Sequence, residues 1–333
     1  MRAQPAAGKV ACAGILVADI FVPPLPALPE AGALLATDDF LLDTGGCAAN
    51  TGVGLARLGA EVAVCGVAGS DVFGDFVEGS LRARGIDTSA IRRDTEAGTS
   101  KTVVLTVTGE DRRFLHTFGA NAQFRAADLV SPALCDAAVL YLGGYLVLPG
   151  LDPNSTAAAL AAARGRGARV VLDVVVPAGA APSLDALRPV LPHVDVFMPN
   201  DDEARALTGE DDPRAQARCF LAMGCRSVII TRGGGGTLLM EGGAVWETDV
   251  YTIDFVDGSG SGDAFAAGYI LGMLEDWPPE PCLRLASAVG ASACTRLGCT
   301  AGVFSRSEAE RFVAERTLEV RRSPAPGGAA RPQ

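Results

Sequence analysis

The stretch Asp257-Gly258-Ser259-Gly260-Ser261-Gly262-Asp263-Ala264-Phe265 carries the reading of this chain. Three glycines alternate with small residues, an aspartate follows, and an apolar, helix-compatible run continues from Ala264 to Leu274. Glycine lets the backbone turn tightly and come close to a ligand. The first turn of the following helix offers N–H groups with no partner inside the helix, and with the positive end of the helix dipole they make an anion site. Asp263 then stands at the mouth of a phosphate cradle. Phosphate repels a carboxylate placed there, so the aspartate needs a purpose, and one is to take a proton from the group that attacks the phosphate. A glycine-rich turn capped by an aspartate accounts for the same residues equally well, and the rest of the chain must choose between the two.

The composition narrows the choice. The 333 residues suffice for one large domain or two ordinary ones, and 49% hydrophobic content supports a large core. A formal charge of −11 argues against nucleic acid and anionic membranes as partners, both of which need basic surface. An anionic ligand must therefore be held by a local device. The two lysines, Lys9 and Lys101, lie in no G-x-x-x-x-G-K-[ST] loop, and the two histidines, His116 and His193, form no paired metal pattern. Nine cysteines without a C-x-x-C pair read as reduced core residues of a cytoplasmic protein. Met1 to Gly8 lacks the apolar core of a signal peptide, and no apolar stretch approaches the roughly 18 residues of a membrane span.

Along the chain, Val10 to Val17 reads as a buried strand that ends at Asp19, where a parallel α/β sheet presents side chains to its ligand crevice. A solvated loop aspartate is the bland alternative. After a proline-rich connector, Asp43-Thr44-Gly45-Gly46-Cys47-Ala48-Ala49-Asn50 enters a helix closed by Gly59. The glycine pair lets amides approach a polar ligand, and Asn50 can cap the helix or bind a hydroxyl. Thr99 to Val107 and Arg112 to Phe118 alternate apolar and polar around Gly109-Glu110-Asp111, a hairpin pattern that suits a lid or an ordinary edge.

From Ala138 onward strands and helices alternate, which argues for a mostly parallel sheet covered on both faces. Strands are expected at 138–142, 169–176, 195–198 and 227–231, and helices at 155–164, 184–191 and 212–223. Two polar clusters follow strands. Pro199-Asn200-Asp201-Asp202-Glu203 offers oxygen ligands for magnesium, or simply acids suited to a helix N-terminus. Thr231-Arg232-Gly233-Gly234-Gly235-Gly236-Thr237 is a nucleotide-lining turn or a flexible hairpin. Each is weak alone, and their shared location at strand ends is the stronger observation. The tail 321–333, rich in Pro, Ala, Gly and Arg, reads as disordered.

From about Lys9 to Phe312 the chain resembles the ribokinase-like carbohydrate kinases, also called the PfkB family. Its two anchors are Gly45-Gly46-Cys47-Ala48-Ala49-Asn50, continuing through Leu55-Ala56-Arg57-Leu58-Gly59, and the Asp257 to Phe265 stretch. Asn200-x-x-Glu203 and Thr231-x-Gly233-x-x-Gly236 stand between them in order. The family's second motif usually reads Asp-Thr-Thr-Gly-Ala-Gly-Asp. Here Gly258 and Ser259 replace the threonines and Ser261 the alanine, while Gly260, Gly262 and Asp263 remain.

The resemblance implies a ribokinase-like three-layer α/β/α sandwich with a mostly parallel central sheet. The kinase domain would span 1–320, with a small β-sheet lid formed by segments near 33–44 and 98–118. It implies Asp263 as catalytic base, with Gly260, Ser261 and Gly262 as anion hole. Thr231, Gly233 and Gly236 would line ATP, and Asn200 and Glu203 would place Mg²⁺. Asp19, Gly45, Gly46, Asn50 and Asn121 would hold a sugar. Some members bind K⁺, here expected near Arg296-Leu297-Gly298, and many form homodimers through the lid. The expected activity is ATP-dependent phosphorylation of a sugar hydroxyl. A nucleoside kinase of the same family and a non-catalytic sugar sensor stay as alternatives, and a nicotinamide-dependent dehydrogenase is disfavoured by the missing glycine fingerprint.

Overall fold

The computed structural model describes residues 8–110, 113–176 and 184–325. The first half holds β1 (Lys9–Gly14), β2 (Val17–Phe21), β3 (Leu41–Gly45), α1 (Cys47–Arg57), β4 (Glu61–Gly69), α2 (Val72–Ala83), β5 (Asp87–Asp94), β6 (Lys101–Leu105) and β7 (Arg113–Thr117). There follow β8 (Ala137–Gly143), α3 (Pro153–Gly165), β9 (Arg169–Leu172), β10 (Val196–Phe197), α4 (Asp201–Thr208), α5 (Pro213–Ala222) and β11 (Ser227–Thr231). The C-terminal part holds β12 (Thr237–Glu241), β13 (Ala244–Thr248), α6 (Ser261–Leu274), α7 (Pro279–Ala293), α8 (Arg306–Glu315) and β14 (Val320–Pro324).

Ten strands form the main sheet in the order β14-β13-β12-β11-β10-β9-β8-β1-β4-β5. The run from β11 to β5 is parallel, and the three strands beyond β11 are antiparallel. Successive strand residues face opposite sides, and here both sides are buried. Val10 and Cys12 of β1 join α1, α2, α6 and α7 in one core. Ala11 and Ala13 join α3, α4 and α5 in the other. Near-continuous apolar strands are what a sheet covered on both faces requires, so the expected three-layer sandwich forms. No helix among the described residues is long and apolar enough to cross a membrane.

The smaller sheet has the order β3-β2-β6-β7. Its strands occupy 17–21, 41–45, 101–105 and 113–117, so the first of them comes from outside the segments expected near 33–44 and 98–118. Asp19 therefore lies in the middle of a lid strand and not at the end of a core strand. The apolar run Val10 to Val17 concealed a change of sheet at Ile15-Leu16, between β1 and β2. The tip residues Asp111 and Arg112 lie outside the described residues.

Two further expectations are corrected. Residues 184–191 form short 3₁₀ turns, Leu184–Ala186 and one starting at Leu191, instead of a helix, because Pro189 in the middle of the span has no N–H for the helical ladder. Arg321 to Pro324 belong to β14, paired in register with β13 from Thr248↔Val320 to Ala244↔Pro324. Arg321 pairs with Asp249 at 2.8 Å and with Glu319 at 3.0 Å, while the Arg322 guanidinium lies over the Trp246 ring. Residues 326–333 of the expected tail lie outside the described residues.

Candidate active site

The two glycine motifs meet at the N-termini of α1 and α6. Asn50, in the first turn of α1, donates from Nδ2 to Asp263 Oδ2 at 2.9 Å, and the Thr51 hydroxyl donates to the Asp263 carbonyl at 3.3 Å. Gly260 caps α6 with φ 71°, a left-handed conformation that costs other residues strain. Ser261 turns both its N–H (3.3 Å) and its hydroxyl (2.9 Å) back onto the Gly258 carbonyl. Of the first-turn amides, those of Gly262 and Asp263 remain free of partners within the helix. Of the three residues expected at an anion site, Ser261 thus has its amide engaged within the loop. Asp257 braces the loop from below. Its carboxylate accepts from the Ser259 N–H (3.1 Å) and hydroxyl (3.0 Å) and from the Gly298 N–H (3.3 Å), which ties the 296–298 segment to it.

A cleft of about 470 Å³ opens beside this helix terminus. Thr231, Gly233 and Gly236 line one side of it, and Gly258, Ser261 and Gly262 line the other. Tyr251, Ile253 and Phe255 and the α7 residues Ser287, Gly290 and Ala291 supply apolar wall. The turn after β11 is thus both a hairpin and a cleft wall. Its bridge to the neighbouring strand end, Asn200 to Thr231, brings the acidic cluster alongside.

On the other side of Asp263 the lid presents a polar row. Strand register aligns Asp43, Asp19, Thr102 and His116 across the sheet. The Thr102 hydroxyl, on the residue paired with Asp19, lies 3.0 Å from His116 Nδ1, and the Cys299 thiol donates to Asp19 at 3.7 Å. A Cβ on Gly45 would overlap the Asp19 carboxylate, so only glycine lets the two strands carry this aspartate. Asn121 does not join the row. It is 1% exposed, accepts from the Leu16 N–H (3.1 Å) and donates to the Leu16 carbonyl (2.9 Å). It clamps the crossing from β1 to β2.

Asn200 and Glu203 form a reciprocal capping box at α4. Glu203 N–H donates to Asn200 Oδ1 at 2.8 Å, and Asn200 N–H donates to Glu203 Oε2 at 2.9 Å. The cap engages the Asn200 side-chain oxygen, while Glu203 Oε2 takes the reciprocal bond and leaves its second carboxylate oxygen outside the cap. The residue that joins Glu203 in the crevice is Asp173, just past β9, whose carboxylate accepts from the Tyr141 hydroxyl at 3.3 Å. Asp173, Asp263 and Cys47 bring ligand atoms within 4.8 Å of one another.

Burial dominates the electrostatics. It pushes the Asp19 carboxyl up to about 6 and Glu203 up to about 7, with nearby Asp263 adding to both. Asp173 rises well above the carboxylate range through burial and then the charges of Glu203 and Asp263. Burial raises Asp263 too, opposed by hydrogen bonds from Asn50 and Cys47. Such mutual repulsion around a crevice prepares it for cations and hydroxyl donors.

Reading the residues alone missed Asp173, Tyr141, Thr102 and His116. An aspartate inside the apolar run Arg169 to Val176 was a visible clue, since a buried ionisable group needs a partner. The partners of Asp19 were not visible, because they depend on strand register.

The fold and the crevice define a nucleotide-dependent α/β enzyme with a β-lid. Residues 7–305 match the description pfkB family carbohydrate kinase, and the chain belongs to that family, whose members are phosphotransferases with an alcohol group as acceptor. A ribokinase of Haemophilus influenzae is 26% identical over 296 residues, covering 87% of this chain and 93% of the relative. A fructokinase from Xylella fastidiosa, solved with bound ATP, has a TM-score of 0.79 and 26% identity, over 92% of this chain and 98% of that one. A putative ribokinase II from E. coli, solved with ATP and Mg²⁺, has a TM-score of 0.79 and 23% identity, over 93% of this chain and all of the other (100%).

The raised carboxyls set a stability prediction. In the unfolded chain these groups ionise near pH 4, whereas in the folded chain they hold protons to higher pH. The stability they contribute is full below about pH 4 and falls as pH rises toward about 7. His116, whose pKa burial lowers, works in the opposite sense but is a single group. The ligand-free protein should therefore melt at a higher temperature near pH 5 than near pH 8, with Asp173→Asn narrowing the gap. A melting temperature that rises from pH 5 to pH 8 contradicts this assignment.

Proposed function

We propose that this chain transfers the γ-phosphoryl group of ATP to a hydroxyl of a neutral or weakly charged sugar. The observation that carries the reading is the position of Asp263. Its carboxylate is fixed by Asn50, its amide sits at the α6 N-terminus, and the cleft of Thr231 and Gly233 lies on one side with the Asp19 row on the other. Relatives and neighbours bearing the names ribokinase and fructokinase support a sugar acceptor.

In this reading Asp19 and Asn50 orient the acceptor hydroxyl, and Gly45 and Gly46 let it approach the backbone. Asp263 accepts its proton as the hydroxyl oxygen attacks in line. The amides of Gly262 and Asp263, with the helix dipole, stabilise charge on the migrating phosphoryl group. Thr231, Gly233 and Gly236 wall the nucleotide. The hard oxygen donor Glu203 suits Mg²⁺ held largely through waters, in keeping with the neighbour solved with ATP and Mg²⁺. When bound, that ion neutralises phosphate charge. The lid excludes water, which would otherwise compete as acceptor.

The lid carries a second proposal. Leu42 and Leu115 are exposed on its outer face, and Phe40 is exposed just before β3. Exposed apolar area on a small sheet marks an interaction site, and we assign it to a second copy of this chain. No disulfide joins any of the nine cysteines, which fits placement in the cytoplasm.

Three outcomes test this reading. Asp263→Asn should lower kcat by about 10²–10⁴ while sugar and ATP still bind, and near-normal turnover rejects the base. The sugar KM should rise as pH falls through about 6, where Asp19 takes up a proton, and Asp19→Asn should flatten that rise; a wild-type KM with no inflection there removes Asp19 from the acceptor site. Sedimentation should show a dimer that Leu115→Glu dissociates, and a monomeric wild type rules the dimer out.

A further inference from the structure

Beside the proposed base lies a donor set that magnesium chemistry does not use. The Cys47 thiol, at the start of α1, and the carboxylates of Asp173 and Asp263 place their ligand atoms within 4.8 Å of one another. Cys47 is nearly buried, at 9% exposed. A second observation concerns the residue bonded to this cluster. Asn50 is 5% exposed, its amide is aimed at Asp263 through Nδ2 at 2.9 Å, and its Oδ1 has no hydrogen-bond partner among the described residues. A buried amide oxygen left without a partner is costly and marks a place where a ligand is missing.

One sulfur and two carboxylate oxygens match a thiophilic cation of small radius. Zinc takes sulfur at about 2.3 Å and oxygen at about 2.0–2.2 Å in a tetrahedron, so modest side-chain rotations close the set. Magnesium demands oxygen ligands in near-ideal octahedral geometry and keeps its waters, and a thiolate selects against it.

We propose that Cys47, Asp173 and Asp263 form a zinc site, distinct from the magnesium position near Glu203, whose occupation blocks the catalytic carboxylate. Binding forms an S–Zn bond and breaks the S–H bond of Cys47, whose proton leaves to solvent. No oxidant or reductant is needed. The inhibition rests on the reading of Asp263 as base, whereas the binding does not, so the two are measured separately.

The binding experiment uses Co²⁺ as a spectroscopic stand-in for Zn²⁺ on the full chain without nucleotide. The wild type should develop a thiolate-to-cobalt charge-transfer band and a higher melting temperature; excess Zn²⁺ should abolish the band and keep the melting temperature raised, and excess Mg²⁺ should leave the band intact. Cys47→Ser and Cys47→Ala should each lose the band, and Asp173→Asn should weaken binding at least tenfold. Cys135→Ser, which alters an exposed thiol elsewhere, should leave the band intact. Sugar phosphorylation at saturating Mg²⁺ and ATP should be inhibited by Zn²⁺ and restored by a chelator. A wild type without the band overturns the site, as does a band retained in both Cys47 variants. A band without any kinase activity upholds the site and removes the kinase reading. Activity insensitive to Zn²⁺ at concentrations that saturate the band removes the blocking role.

Discussion

The hydrogen bond from Asn50 to Asp263 is the constraint on which the rest of the crevice depends. It joins the first turns of α1 and α6, elements more than two hundred positions apart in sequence. The two helices lie side by side with their first turns level because both pack on the same face of the sheet, through Ala48, Val53 and Leu55 on one side and Ala264, Ala267 and Leu271 on the other. With the bond in place, the α6 amides point into the cleft and the carboxylate faces the lid. Without it, an aspartate at the third helical position would be an ordinary acidic residue answering a helix dipole.

That geometry has an electrostatic consequence. Asp19, Asp173, Glu203 and Asp263 are drawn into a poorly solvated space where each raises the proton affinity of others. The molecule tolerates this because both cores beneath the sheet are extensive and apolar. The crevice is thus unstable by itself and becomes favourable when hydroxyl donors or cations arrive. Stability withheld from the empty protein reappears as affinity for what fills it.

Much of the architecture was legible in the residues. β11, α2 and α3 show clear apolar patterning, and Asp71 and Asp152 cap the two helices. The glycine motifs fixed the location of the crevice because close backbone approach admits little else. What stayed hidden depends on distant partners. Gly14 to Val17 is apolar throughout, so nothing local announces that the chain leaves one sheet for another. β14 has an unpromising composition and exists through pairing with β13, more than seventy positions earlier. Asn121 and Asn200 are chemically fit for ligands, yet their partners prove to be the backbone of Leu16 and the cap of α4. Side-chain identity states what a residue can bind, and only the fold states what it already holds.

The central claim is that one carboxylate serves both halves of the crevice. A crystal structure of the chain with a non-hydrolysable ATP analogue and an accepted sugar tests it most directly. The account places the acceptor hydroxyl within about 2.6–3.2 Å of an Asp263 oxygen, with the terminal phosphate on the Gly262 and Asp263 amides. A terminal phosphate seated away from those amides, or a sugar bound out of reach of Asp263, contradicts it.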